Sequence, residues 1–257
     1  LSFFRVIFLF FAQNMRWMNR LFSPSVRKLF FASFLTLWVW GCESTLSPET
    51  IPSGILFQTL EKGRFSIWDV QRITYSELLS NDTARFELME VVTDSFVDLA
   101  GNTAWRLERF IRPAGSRAAW QFDSLWVARR EEARLVRVEN NQPVIALVFP
   151  VRQGKSWDAN ALNTLNAETR QYARPGERFE VNGQVYNGTV RVNGRQEANL
   201  LSRTDRWEVY AEGAGLIYRY RQEVLYINDF TNPFYGTDSI IGGFFIEQKL
   251  LQTGVAP

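Results

Sequence analysis

Trp207, Val209 and Ala211 alternate with Arg206, Glu208, Tyr210 and Glu212. A repeat of two marks an extended strand, because successive side chains on such a backbone point to opposite faces. The same repeat returns along the chain. Phe86, Leu88 and Val92 share a face of a run reaching Asp98, and Trp105, Leu107 and Ile111 share a face of the next. Leu216, Tyr218 and Tyr220 stand opposite Ile217, Arg219 and Arg221. On this reading the faces carrying Trp105 and Trp207 turn to the core and the charged faces turn to water. Trp120 and Trp126, of one parity among Arg117, Arg129 and Arg130, are also expected in the core. The run Val144–Phe149, VIALVF, is apolar on both faces, which predicts a central strand covered on both sides and bracketed by Pro143 and Pro150.

Turn chemistry agrees with a strand-after-strand chain. Asn182-Gly183, Asn187-Gly188 and Asn193-Gly194 are pairs suited to the positive φ of tight hairpins. They lie too close together for all three to be hairpin turns, so at least one is expected at a bulge or loop. Ala100-Gly101-Asn102 and Asn140-Asn141-Gln142 are short enough to join antiparallel neighbours. Gly213-Ala214-Gly215 reads as a bulge or bend rather than a close approach to a ligand. Asp158–Ala173 suits a helix capped by Asp158 or, equally, a loop. Phe230–Gly243 reads as a long loop before a last strand, Phe244–Leu251. The expected fold is all-β: one antiparallel, strongly curved meander sheet or incomplete barrel of about eight to ten strands. Helix is scarce apart from an N-terminal signal helix.

That signal is the stretch Leu29–Cys42, LFFASFLTLWVWGC. Its apolar part is shorter than the ~20 residues that cross a bilayer. It follows Arg20, Arg27 and Lys28, as an export signal follows its basic segment. Val39, Trp40, Gly41 and Cys42 resemble the lipobox of bacterial lipoproteins, with Trp40 the one departure, since that position is usually small. The resemblance implies cleavage before Cys42 and attachment of palmitate-like acyl chains to its sulfur. One chain holds a protein marginally, at ~0.8 kcal/mol per buried methylene, and two or three hold it durably. Glu43 is not the Asp that resembles an inner-membrane retention signal, which favours the outer membrane. Residues 1–41 are therefore read as signal peptide, residues 42–60 as a lipidated flexible tether, and residues 61–257 as the β-rich domain. Met15 and Met18 are both reasonable starts, so the residues before them are expected to be upstream sequence.

Three further stretches, Leu147–Asn163, Val209–Tyr220 and Ile240–Leu251, resemble an uncharacterised β-rich family of Bacteroidota outer-membrane lipoproteins. That resemblance implies an exported β domain and brings no reaction with it.

Composition narrows the chemistry. The chain has no histidine, which removes Ser-His-Asp and Cys-His catalysis and His-ligated metal sites. Its single cysteine, Cys42, cannot form an internal disulfide. The five bases Arg5, Arg16, Arg20, Arg27 and Lys28 precede the cleavage point with no acid among them. Taking them from 29 bases leaves 24 against 27 acids, a net charge of −3 after cleavage. No nucleic-acid partner is expected of such a surface, and no cofactor or metal is expected.

Trp157, Asp158 and Asn160 form the best candidate ligand-binding cluster, a polar pair beside an aromatic; the competing role is that Trp157 seals a core edge while the other two hold a loop. Gly154-Lys155-Ser156 mimics a phosphate loop, but Phe149 stands where its first glycine belongs. Glu131-Glu132 and Asp205 with Glu208 are carboxylate pairs of the kind a glycosidase uses. The first expectation for function is a non-catalytic envelope lipoprotein that binds a protein partner. The second is a carrier or receptor for an apolar or glycan ligand in a concave sheet. The third is a carboxylate-based hydrolase.

Overall fold

The computed structural model describes residues 54–256; the signal peptide, Cys42 and the tether up to Ser53 lie outside the described residues. Twelve strands follow a 3-10 turn at Gly54–Phe57. They are β1 (Arg64–Ser76), β2 (Asp82–Val97), β3 (Thr103–Pro113), β4 (Gln121–Glu131), β5 (Arg134–Glu139), β6 (Gln142–Val148), β7 (Ser156–Asp158), β8 (Thr169–Val181), β9 (Gln184–Ala198), β10 (Ser202–Ala211), β11 (Gly215–Tyr226) and β12 (Ile240–Val255). All join one sheet in the order β6-β5-β4-β3-β2-β1-β12-β11-β10-β9-β8-β7. Each strand pairs with its sequence neighbour except across the β6–β7 connection, and β1 meets β12 at the centre. The expected antiparallel meander is therefore the observed one.

Bulges curl the sheet. Register slips between Ile67 and Trp68, Val92 and Asp94, Leu135 and Val136, and Val209 and Tyr210 each add local twist. The curl brings the two ends of the sheet together. Ile145 donates its N–H to the Ala159 carbonyl at 2.9 Å, and the Trp157 indole donates to the Ile145 carbonyl at 2.9 Å. The fully buried Tyr172 hydroxyl receives the Val148 N–H at 2.9 Å and donates to the Val148 carbonyl at 2.8 Å. The result is a nearly closed barrel.

This seam explains the VIALVF segment. Its strand, β6, is the first in the sheet order and not a central one. Ile145, Ala146 and Leu147 are nonetheless buried, because closure covers them from the β7–β8 side. Pro143 lies inside β6 rather than ahead of it, and a strand at the end of the order tolerates a residue without an N–H. Residues 159–168 form the loop, not the helix, that the sequence left open. Of the Asn-Gly pairs, only Asn182-Gly183 makes a two-residue hairpin, with φ of 49° and 76° between paired Val181 and Gln184. The other two fall inside β9, beside register slips.

One end of the barrel is a closed, apolar floor. Trp68, Leu88, Leu107, Trp126, Leu147 and Leu250 are buried there, each worth about 1.5–3 kcal/mol relative to exposure. The Gly54–Phe57 turn stops this end, with Phe57 only 3% exposed. Gly213 donates its N–H to Leu56 at 2.8 Å, and a Cβ on Gly215 would lie 2.8 Å from the Thr59 hydroxyl. Gly215 therefore leaves room for this segment to lie against the turn, while Gly213 supplies a positive φ of 72°.

Candidate ligand-binding site in the barrel mouth

The sequence puts the inside of the barrel on the wrong face of β10. Glu208 and Tyr210 point inward and are 8% and 2% exposed. Trp207 lies on the outer face, where its ring stacks on Tyr218 at 4.6 Å and on Tyr220 at 5.7 Å. Phe179, from the β8–β9 hairpin, packs against Tyr218 at 5.5 Å, so this outer face is covered too. Trp207 is therefore half-buried among aromatics and does not face the barrel core. Trp126 does, buried as expected.

The inward charges form one alternating chain. Arg109 lies 3.6 Å from Glu90, and Arg137 lies 2.6 Å from Glu90 and 3.4 Å from Glu139. Arg219 lies 3.5 Å from Glu139 and 2.7 Å from Glu208, and Arg170 lies 3.7 Å from Glu208 and 3.5 Å from Glu168. Arg206 lies 2.5 Å from Glu168 and 2.7 Å from Glu223, which is 3.6 Å from Arg221. The strands that carry Glu139 and Arg219, β5 and β11, are six places apart in the sheet, so these groups meet only across the interior. Six arginines thus thread five glutamates through the barrel. Tyr210 joins it by donating its hydroxyl to Glu208 at 2.7 Å.

Burial alone would raise the Glu208 carboxyl. Arg219 and Arg170, with hydrogen bonds from Tyr210 and Arg219, outweigh it and bring the group to about 2. Burial likewise opposes ionisation of Glu139, and Arg219 with Arg137 reverses the balance, so this carboxyl too sits below its ordinary value. A glycosidase needs one carboxyl held protonated as its acid. Neither Glu139 nor Glu208 offers one. Asp205 and Glu208 have opposite parity on β10 and face opposite ways, and Glu131 is engaged by Arg129 and Arg134. Among the described residues no three acidic groups converge as a bound cation would require.

Above the charged layer two cavities occupy the mouth. The larger, about 310 Å³, lies between the β5–β6 turn and the inner faces of β8 to β11, and Glu168, Arg170, Arg206 and Glu208 line it. The smaller, about 240 Å³, lies against β1 to β4 and β12. Glu139, Asn140, Arg219 and Arg221 border both. The smaller cavity has an apolar wall of Val70, Phe86, Leu88, Ile111, Trp126 and Ile246.

The sequence-derived cluster lies where the seam meets the edge of the larger cavity. Asn160 borders the larger cavity, while its amide donates to the Asn166 carbonyl at 2.7 Å. Trp157 stands in the seam with its ring centroid 4.7 Å from that of Tyr172. Asp158 receives the N–H groups of Asn160 and Glu168, each at 2.9 Å. The Lys155 ammonium donates to the Phe149 carbonyl at 2.7 Å, inside the turn. The arginine–glutamate chain escaped the sequence reading because its members lie tens of residues apart. The available signal was local: Arg206, Glu208, Arg219, Arg221 and Glu223 share strands with Trp207, Tyr218 and Tyr220, so both faces carry side chains that seek cover.

Comparison with protein-family models gives no match, and comparison with curated proteins gives none either. Among solved structures the chain is similar to a protein of Parabacteroides distasonis provisionally described as a lipoprotein, at 8% identity and a TM-score of 0.37, over 77% of this chain and 98% of that one. A TM-score of that size is too low to carry an architectural or functional argument.

Proposed function

We propose that the chain is an exported, lipid-anchored binding protein of the cell envelope that holds a small molecule in the mouth of its barrel. The anchor is Cys42, at the end of the lipobox-like segment, and the outer membrane is its expected address. The carrying observation is the mouth itself. Two adjoining cavities, of about 310 and 240 Å³, open above a packed floor. The larger reaches the size range of small-molecule sites, roughly 300–1,000 Å³. Their linings combine an apolar wall with charged groups fixed by partners, an arrangement that binds and orients rather than one that transfers protons. A chain of paired arginines and glutamates holds its geometry without a ligand, so little ordering is needed on binding.

Native mass spectrometry of the full-length protein purified from its own envelope tests this. The expected spectrum contains a species heavier than the lipidated chain by one small molecule, released on activation. A bare chain, or one accompanied only by a second protein, would overturn the reading and return the partner-binding expectation to first place.

A further inference from the structure

The arginines of the chain are not equally satisfied. Arg137, Arg170, Arg206 and Arg219 each lie between two glutamates, whereas Arg109 and Arg221 are the chain ends with one each, at 3.6 Å. Their Nε groups, like those of Arg137 and Arg206, are buried without a hydrogen-bond partner, so the ends differ from the rest of the chain in their count of glutamates. Both ends border the smaller cavity, together with Arg219 and the half-exposed Arg72. The acids on that lining are Asp123 and Glu139, and Glu139 is already shared by Arg137 and Arg219. Four guanidiniums and two carboxylates thus face this cavity, while the other partners of these arginines, Glu90, Glu208, Glu223 and Asp82, are not part of its lining. Burial, with Arg137 and Arg219 nearby, pulls Arg109 below its ordinary value, and burial, with Arg219 and Arg206, does the same to Arg221. Both stay protonated, so an anion entering the cavity meets cations on its wall.

Resting on the reading of the mouth as a binding site, we infer that the smaller cavity takes a single-chain anionic amphiphile, its carboxylate or phosphate head among Arg72, Arg109, Arg219 and Arg221 and its tail along Phe86, Ile111 and Ile246. Guanidiniums suit such heads because their donors match two oxygens at once. The tail has somewhere to go. The loops at this end expose Leu78 and Leu79 after β1, Leu200 and Leu201 before β10, and Phe230 and Phe234 before β12. Those side chains receive the tail where it leaves the cavity.

Trp126 borders this cavity under the Arg109 guanidinium, at 3.6 Å, so its fluorescence reports occupancy. The chain from Glu43 to Pro257, which keeps the whole barrel, is titrated below micelle concentration with dodecanoate, monododecyl phosphate, dodecanol, dodecyltrimethylammonium and inorganic phosphate. The two anionic amphiphiles bind one per chain, and the neutral and cationic ones and phosphate bind about tenfold more weakly or less. Arg221→Gln and Arg72→Gln each weaken dodecanoate by about tenfold and leave dodecanol unchanged. Arg72 is exposed, so its variant cannot disturb the packed layer. Equal binding of dodecanol and dodecanoate, or indifference of dodecanoate to both substitutions, overturns the anion inference while the binding-protein reading stands. Inorganic phosphate binding as tightly as its dodecyl ester overturns the role of the apolar wall. If none of the five binds, the inference fails, and native mass spectrometry decides the broader reading separately.

Discussion

Replacing Arg219 by methionine tests whether the charged layer holds the barrel together. The Arg219 side chain is 9% exposed, with 2.7 Å to Glu208 and 3.5 Å to Glu139. Methionine keeps much of the length and removes the charge. Glu208 would keep Arg170 at 3.7 Å and the Tyr210 hydroxyl at 2.7 Å, and Glu139 would keep Arg137 at 3.4 Å. Two buried carboxylates each lose a cation, and truncating one member of a buried pair costs about 3–5 kcal/mol. A second route gives the same scale: a carboxyl moved from 4.5 to about 2 by its surroundings contributes about 3 kcal/mol. For a domain near this size, 1 kcal/mol moves Tm by about 2–4 °C, so the variant should melt roughly 10 °C lower at pH 7. The pH dependence gives an independent sign. Glu208 has its folded value below its unfolded one, so its stabilisation is present above 4.5 and is lost as pH falls through that value toward 2. Urea melts at pH 7, 5 and 3 should show wild type losing stability steeply below pH 5 and Arg219→Met losing less. A variant within about 1 kcal/mol of wild type at pH 7, with the same slope, would refute the reasoning.

Gly243→Ala should destabilise by about 3 kcal/mol or more, because at φ 108° its Cβ would lie 2.0 Å from the Glu223 carbonyl oxygen; an unchanged Tm would contradict the pairing of Val224 with Gly243. Tyr172→Phe removes the hydroxyl that closes the seam on Val148 and should cost about 1–3 kcal/mol, with faster amide exchange at Ile145 and Val148 than in β1. Exchange that accelerates uniformly, or nowhere, would show that the seam is held otherwise. Cells grown with a clickable palmitate analogue should label the wild-type protein and not Cys42→Ser; equal labelling of the two would place the anchor elsewhere.

Strand positions were legible because a repeat of two survives in sequence, and short Asn- and Gly-rich connections forced antiparallel neighbours. Which face was inside was not. On β10 the rule of apolar in and charged out chose Trp207, whereas Glu208 points inward because Arg219 and Arg170 satisfy it there. A strand shows only its own half of an ion pair; the other half, on β11 or β8, becomes visible once the sheet has curled. The curl itself rests on bulges such as that at Val209 and Tyr210, which leave no periodic signature. VIALVF was legible as doubly covered, but the cause is the seam and not a central position. The candidate trio fared similarly: adjacency in sequence joined Trp157, Asp158 and Asn160, and the fold gives only Asn160 a place on a mouth cavity.

Photolabelling with a fatty-acid analogue that carries a diazirine in its tail tests the mouth most directly, since the adduct records where the tail lay. Peptides containing Phe86, Ile111 or Ile246 should carry the label, and dodecanoate but not dodecanol should displace it. Label concentrated on the outer face around Trp207 and Tyr220, or undisplaced by dodecanoate, would contradict a binding site inside the barrel.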